Sequence, residues 1–462
     1  MDKFVIQGGT PLHGDIYVSG AKNSVVALLP ATLLLDAPVI LENVPEIKDV
    51  TICLTILRQL GADVQELSRG TYRISCAGVN SYIVPEAQAR AMRASYYFLG
   101  ALLGRFGKAK SYMPGGCHIG ERPIDQHLMA FEALGASCTL TKRMGADGKE
   151  EFDSLTVEKL PPLPEDHVPG EQKERPSRTI SFNVVSVGAT MNGILAAVKA
   201  EGMTVLENCA REPHIVDLAN FLILMGAKIV GAGTHRIYIE GVSRLDGNVP
   251  EGSEEVRTYS VVPDQIEAGT YMVAAAATRG DLNIHGIVPQ HLRSITEKLK
   301  EIGVHVVEHE QDNDVYLRVY TEDKPFQPTN IRTEPHPGFP TDMQPQMAVL
   351  LVRAAGQSNI TEQIWEDRFK YAAELAKMGA NINTTRDGAI LFGVDGLHGA
   401  QVNACDLRAG AALVIAGMFA EGTTEVAEIG YIERGYERIT EKLSAVGAKI
   451  RRVSDDDPRS RF

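Results

Sequence analysis

Apolar and polar positions along the chain fall into one pattern that recurs six times. A stretch with helical apolar spacing runs into Gly, then Ala or Val, then an apolar residue. The copies are "LRQLGADV" (57–64), "FEALGASC" (131–138), "LILMGAKI" (222–229), "LKEIGVHV" (299–306), "LAKMGANI" (375–382) and "LSAVGAKI" (443–450). Each predicts a helix stopped by a glycine in the left-handed conformation, which carries no Cβ penalty there. A strand follows, marked by alternating apolar residues.

Upstream of each copy lies a second element, a helical stretch built from small residues. Examples are "GAKNSVVALLPATLLL", "SVGATMNGILAAVKAEG" and "DLRAGAALVIAGMFAEG". Small residues on all sides predict burial on most faces and close helix–helix approach. Short strands such as "APVILENV" and "TTEVAEI" come next. Two elements recurring in the same order imply a repeated helix–strand–helix–strand unit. The spacing exceeds that of solenoid repeats, so six units in 462 residues predict two domains of three units each. The widest gap holds 141–179, rich in proline and charge, and this segment is expected to be an exposed excursion. It reads either as a mobile loop or as a surface insertion without function.

Composition narrows the functional classes. Hydrophobic residues make up 44% and charged residues 23%, ordinary for a soluble globular protein. The net charge of −13 argues against general binding to nucleic acid or anionic membrane. Six cysteines, at 53, 76, 117, 138, 209 and 405, contain no CxxC pair, which argues against zinc knuckles and redox motifs. No signal-like start or bilayer-length apolar run is seen, so a cytoplasmic protein is expected. No cofactor and no metal is expected.

Four clusters carry candidate chemistry. "SGAKNS" (19–24) places Lys22 and Asn23 at the start of the first small-residue helix, where free N–H groups and the helix dipole favour anions. It lacks P-loop spacing, and an ordinary solvated lysine is the alternative. Arg93 in "AMRAS", Asp342 in "FPTDMQPQ" and Arg408 in "CDLRAG" occupy the equivalent place in other units, so polar helix starts gather around an axis in each domain. In "PGGCHIGERP" (114–123), Cys117 lies among glycines with Arg122 close by, and a nearby cation would lower its thiol pKa. An inert exposed thiol is the alternative. Arg434 in "IERGYERI" and Arg368 in "WEDRFKY" sit in turns that suit pairing with a carboxylate or phosphate. Gathered cations on an acidic chain, with one carboxylate and one thiol, suit a small, highly anionic substrate and proton transfer.

The motifs "SGAKN", "MRAS", "PGGCxIGxRPxD", "SVGAT", "AREPxIVD", "FPTDMQ", "DLRA" and "RGYERI" together resemble the UDP-N-acetylglucosamine enolpyruvyl transferases (1-carboxyvinyltransferases). They run along nearly the whole chain. The resemblance implies an inverse α/β barrel-like fold of two domains (α/β, or α+β), with three βαβαββ units in each. The domains would span 22–262 and 1–21 plus 263–462. It implies enolpyruvyl transfer from phosphoenolpyruvate to the 3-hydroxyl of UDP-N-acetylglucosamine, the first committed step of peptidoglycan synthesis. Cys117 would protonate the methylene carbon and react with fosfomycin, and Asp342 would act as base. Lys22, Asn23, Arg122 and Arg434 would hold phosphoenolpyruvate. Arg93, Arg122, Pro123, Ile124, Asp125, Gln126, Val185, Ser186, Val187, Gly188, Asp342 and Ile364 would contact the sugar nucleotide. Asp406, Arg408 and Arg368 would support the wall of the second domain. One departure is Val184, where the family usually carries Lys. With the 141–179 segment, it motivates a second reading, a paralogue with altered catalysis or a regulator that binds UDP-sugar.

Overall fold

The computed structural model describes residues 2–113, 124–144, 150–159, 177–250, 253–311 and 314–454. The six predicted helix-stopping glycines, Gly61, Gly135, Gly226, Gly303, Gly379 and Gly447, all have positive φ, between 84° and 105°. Strands follow them at Asp63–Ser68, Ala136–Met144, Lys228–Val230, Val304–Gln311, Asn381–Thr384 and Lys449–Val453.

The strands form six small sheets, and five share one scheme: an edge strand parallel to its neighbour, followed by two antiparallel strands. The central strand of the first such sheet is Val39–Glu42, flanked by Arg257–Ser260 in parallel and Thr71–Ser75 in antiparallel pairing. In the sheet of Lys108–Tyr112, Glu150–Lys159 and Ala136–Met144, a parallel bridge from Ile83 to Lys110 takes, among the described residues, the place of the parallel edge strand. Sequence neighbours do not complete every sheet. The last one inserts Lys3–Gln7 between Thr423–Ala427 and Lys449–Val453. The strand His13–Tyr17 runs parallel to Asp281–His285.

Two hydrophobic cores result. One spans Val25 to Val261, and the other joins Phe4–Val18 to Ile266–Ile450. In the second, the small-residue helices Gln265–Ala277, Gln344–Leu351 and Leu407–Phe419 pack on one another. In the first, Tyr97–Phe106 packs against Lys22–Ala31 and Val187–Ala197. The chain passes between the cores at two adjacent points. Ala21 N–H donates to Val262 O at 2.7 Å, and Asp264 N–H donates to Ser19 O at 2.9 Å. This is a two-domain α/β fold of six βαβαββ units. Among the described residues no helix is long and apolar enough to cross a membrane.

The 141–179 segment differs from its expected character as an exposed excursion. Residues up to Met144 and the whole of Glu150–Lys159 are sheet, as is Ser177–Ser181. Leu155 and Val157 are fully buried. Their strand also carries Glu150, Glu151, Asp153, Glu158 and Lys159, and so much charge reads as a polar loop when the strand's partners are unknown. Residues 145–149 and 160–176 lie outside the described residues.

Candidate active site

Helix Lys22–Ala31 begins at the first crossover, so Lys22 stands where the two cores meet. Its backbone N–H donates to Asp264 Oδ2 at 3.0 Å, and Asp264 also caps helix Gln265–Ala277. The Lys22 ammonium lies 3.1 Å from Asp49 Oδ2. Arg434, from the other core, reaches the same carboxylate, with Nε 2.9 Å from Oδ1. Asp49 is 1% exposed, and its two cations hold its carboxyl down against burial, which acts in the opposite direction. The turn carrying Arg434 can come this close because Gly435 follows it. A Cβ on Gly435 would stand 2.8 Å from Lys22 Cδ.

Beside this group lies a second carboxylate. Asp342, in the turn Thr341–Met343, faces Arg368 at 2.9 Å and Arg408 at 3.2 Å. Burial alone would raise its pKa, but Arg408, Arg368 and Lys22 together hold it well below the usual carboxylate range. Lys22 therefore links the two carboxylate clusters electrostatically. Arg408 is buried near the start of helix Leu407–Phe419 and lies over the Tyr436 ring at 5.3 Å. Asp406 caps that helix by accepting from Arg408 N and Ala409 N at 2.8 and 2.9 Å.

A third group gathers in the first core. Helix Asp125–Ala133 packs on helix Val187–Ala197, which Ser186 caps. Gln126 is buried and accepts from Asn183 N at 2.8 Å, tying the two segments together, while Asp125 is exposed and accepts from Gln126 Nε2 at 2.8 Å. Val184 and Val185 are exposed. Ile124, Val187 and Gly188 are half-buried. The His127 ring occupies the space a side chain at Gly188 would need, since a Cβ there would lie 2.7 Å from Nε2. Burial, with the nearby charge of Arg93, pushes the His127 pKa down to about 4, so this ring is neutral at ordinary pH. Arg93 opens the turn Arg93–Tyr96 ahead of helix Tyr97–Phe106, half-buried and 5.8 Å from the Tyr96 ring centroid. Asn23 is half-buried beside Lys22, and Ile364 is half-buried on the second core.

Cys117, Arg122 and Pro123 lie outside the described residues. The other five cysteines are free thiols, and burial, partial for Cys138 and Cys405, pushes Cys76 and Cys405 up to about 11 and Cys138 and Cys209 up to about 12, which disfavours the thiolate. The structure adds residues that sequence reasoning missed, Asp49 first among them. Asp49 reads as an ordinary acid in the first turn of helix Lys48–Leu60, and only its partner 385 positions away reveals it.

Cations from both cores converging on a buried and a half-buried carboxylate suit an enzyme that handles a small polyanion where its two domains meet. Comparison with known proteins gives the family. A family model described as EPSP synthase (3-phosphoshikimate 1-carboxyvinyltransferase) matches residues 6–443. The UDP-N-acetylglucosamine 1-carboxyvinyltransferase 3 of Caldanaerobacter subterraneus is 50% identical over 455 residues, covering 98% of this chain and 100% of that one. The corresponding enzyme 2 of Bacillus subtilis is 43% identical over 459 residues, covering 99% and 98%. Among solved structures, the enolpyruvyl transferase NikO from Streptomyces tendae superposes with a TM-score of 0.80 at 26% identity, covering 98% of this chain and 99% of that one. The chain belongs to the EPSP synthase family of carboxyvinyl (enolpyruvyl) transferases.

Proposed function

We propose that the protein transfers the carboxyvinyl group of phosphoenolpyruvate to the 3-hydroxyl of UDP-N-acetylglucosamine and releases phosphate, as the committed step of peptidoglycan synthesis. The observation that carries this reading is the meeting of Lys22 and Arg434, from different domains, on one buried carboxylate with Asp342 alongside. The names of the relatives supply the acceptor. We take the domains as 22–262 and 1–21 plus 263–462, with the substrates between them.

Lys22, Asn23, Arg122 and Arg434 hold the phosphate and carboxylate of phosphoenolpyruvate, where fixed cations stabilise charge at little reorganisation cost. The sugar 3-oxygen bonds to C2 of the enol and its proton passes to Asp342. Cys117 gives a proton to C3, which becomes a methyl group. The thiolate left on Cys117 then takes a C3 proton back, restoring the double bond as the C2–O bond to phosphate breaks, and the leaving phosphate carries off the proton held by Asp342. The surrounding cations favour the ionised form of Asp342, which can accept a proton, but its lowered pKa makes it a weak base. A phosphoenolpyruvate anion arriving at Lys22 offsets one of the charges that depress it, which raises its basicity when substrate is present. Arg368 and Arg408 orient Asp342, and Asp406 orients Arg408. Arg93, Ile124–Gln126, Val185–Gly188 and Ile364 line the path of the sugar nucleotide, with Pro123 in the same loop.

The test is phosphate release from phosphoenolpyruvate. It should require UDP-N-acetylglucosamine, be lost in Cys117→Ser, and be blocked by fosfomycin in the wild type. Release that depends on shikimate 3-phosphate instead would overturn the acceptor. Full activity of Cys117→Ser would overturn the thiol's role.

A further inference from the structure

Glu362 is a buried carboxylate, 4% exposed, whose hydrogen bonds come from neutral donors on three separate segments. Its Oε1 accepts from Thr333 Oγ1 at 2.7 Å, Ile364 N at 2.8 Å and Trp365 N at 3.2 Å. Its Oε2 accepts from Thr341 Oγ1 at 2.9 Å. Both threonine hydroxyls donate toward it. The Thr333 oxygen is thereby left to accept Gln363 N, which it does at 2.9 Å. The polarity of the whole knot is set by one carboxyl group.

Two of the segments it ties belong to the proposed site. Thr341 directly precedes Asp342, and Ile364 faces the sugar nucleotide in the reading above. The third, around Thr333, is the scaffold, since Thr333 is fully buried and its N–H donates to Thr361 O at 3.0 Å. We propose that Glu362 is a positioning residue that sets the Asp342 turn and the Ile364–Trp365 segment in one register, so that the base and the acceptor sugar meet. This rests on the substrate reading above. The knot is separate from the Lys22–Asp49–Arg434 cluster, so it acts on the acceptor and not on phosphoenolpyruvate.

Steady-state kinetics of Glu362→Gln and Thr341→Val, with both substrates varied, test this. Glu362→Gln keeps the shape but puts an amide N–H where one set of donors needs an acceptor. Its kcat/KM for UDP-N-acetylglucosamine should fall about tenfold to a hundredfold, the range expected when reacting groups shift by about 1 Å. Both kcat and that KM should change, while the KM for phosphoenolpyruvate stays within about twofold. Thr341→Val removes only the donor beside Asp342, so kcat should fall with little change in either KM. A purely structural role predicts a uniform loss of Vmax in Glu362→Gln with both KM values unchanged, and that result overturns the proposal. So does wild-type behaviour of both variants. A wild-type enzyme inactive with this substrate pair refutes the substrate reading and this proposal with it. An active wild type with an unaltered Glu362→Gln refutes the proposal alone.

Discussion

Replacing Asp49 by Asn keeps the size and shape of the side chain and removes its charge. The carboxylate now serves two cations from two domains, Lys22 at 3.1 Å and Arg434 at 2.9 Å. An amide offers one acceptor oxygen, so one of the two contacts becomes a donor facing a cation. A hydrogen bond to a charged group contributes about 1.5–3 kcal/mol. Two unit charges about 4 Å apart interact by roughly 4 kcal/mol at the effective dielectric of a partly exposed site. The Lys22 and Arg434 side chains are 15% and 21% exposed, so water screens part of this and the lower range applies. Lys22 and Arg434 then lose their shared anchor and are left with their mutual repulsion. At about 1.4 kcal/mol per factor of ten, kcat/KM for phosphoenolpyruvate should fall about tenfold to a hundredfold. The KM for the sugar nucleotide should stay within about threefold, because Asp49 touches no group assigned to it. The assay is initial-rate phosphate release with phosphoenolpyruvate varied at saturating acceptor, then the reverse. An unchanged or improved kcat/KM for phosphoenolpyruvate would refute the reasoning, since it would mean that Asp49 only competes with the substrate for its cations.

Two further outcomes follow from the charges. Arg408→Met removes the largest cationic influence on Asp342, so its pKa should rise and the acid limb of the pH–rate profile should move to higher pH. Arg408→Lys should restore much of the original profile, and an unmoved limb in Arg408→Met would show that Asp342 does not govern it. On the outer face of another sheet, His285 lies 2.5 Å from Asp314 and 2.9 Å from Asp15 and stacks on Tyr17 and Tyr316. Burial lowers its proton affinity, but the hydrogen bonds to Asp314 and Asp15 outweigh this and its pKa is raised. This stabilisation is fully present below the unfolded histidine pKa of about 6.5 and is lost as pH rises through the higher folded value. The carboxylates are half-exposed, so about 1 kcal/mol is expected. The stability gap between wild type and His285→Gln in urea should narrow from pH 6 to pH 9, and a constant gap would refute the clamp.

Parts of the molecule that depend on neighbours along the chain were legible in the sequence. A glycine that stops a helix acts within one turn, so all six stops could be read locally, and their recurrence implied six units. Lys22, Arg408 and Asp342 were legible because a helix start is also a local feature. The strands 150–159 and 177–181 were not, because a mostly polar strand shows its nature only through the partners that bury its few apolar residues.

The sequence by itself determined the repeat, the small-residue helices and most of the polar residues at their starts, since each follows from backbone preferences and side-chain periodicity over a few residues. Tertiary structure alone decided that Lys3–Gln7 completes the last sheet, that Asp49 joins Lys22 to Arg434, and that Glu362 ties Thr341 to Ile364. In the first two cases the partners lie hundreds of positions apart. A buried carboxylate is defined by the donors that replace its water, and no local pattern records which distant donors those are.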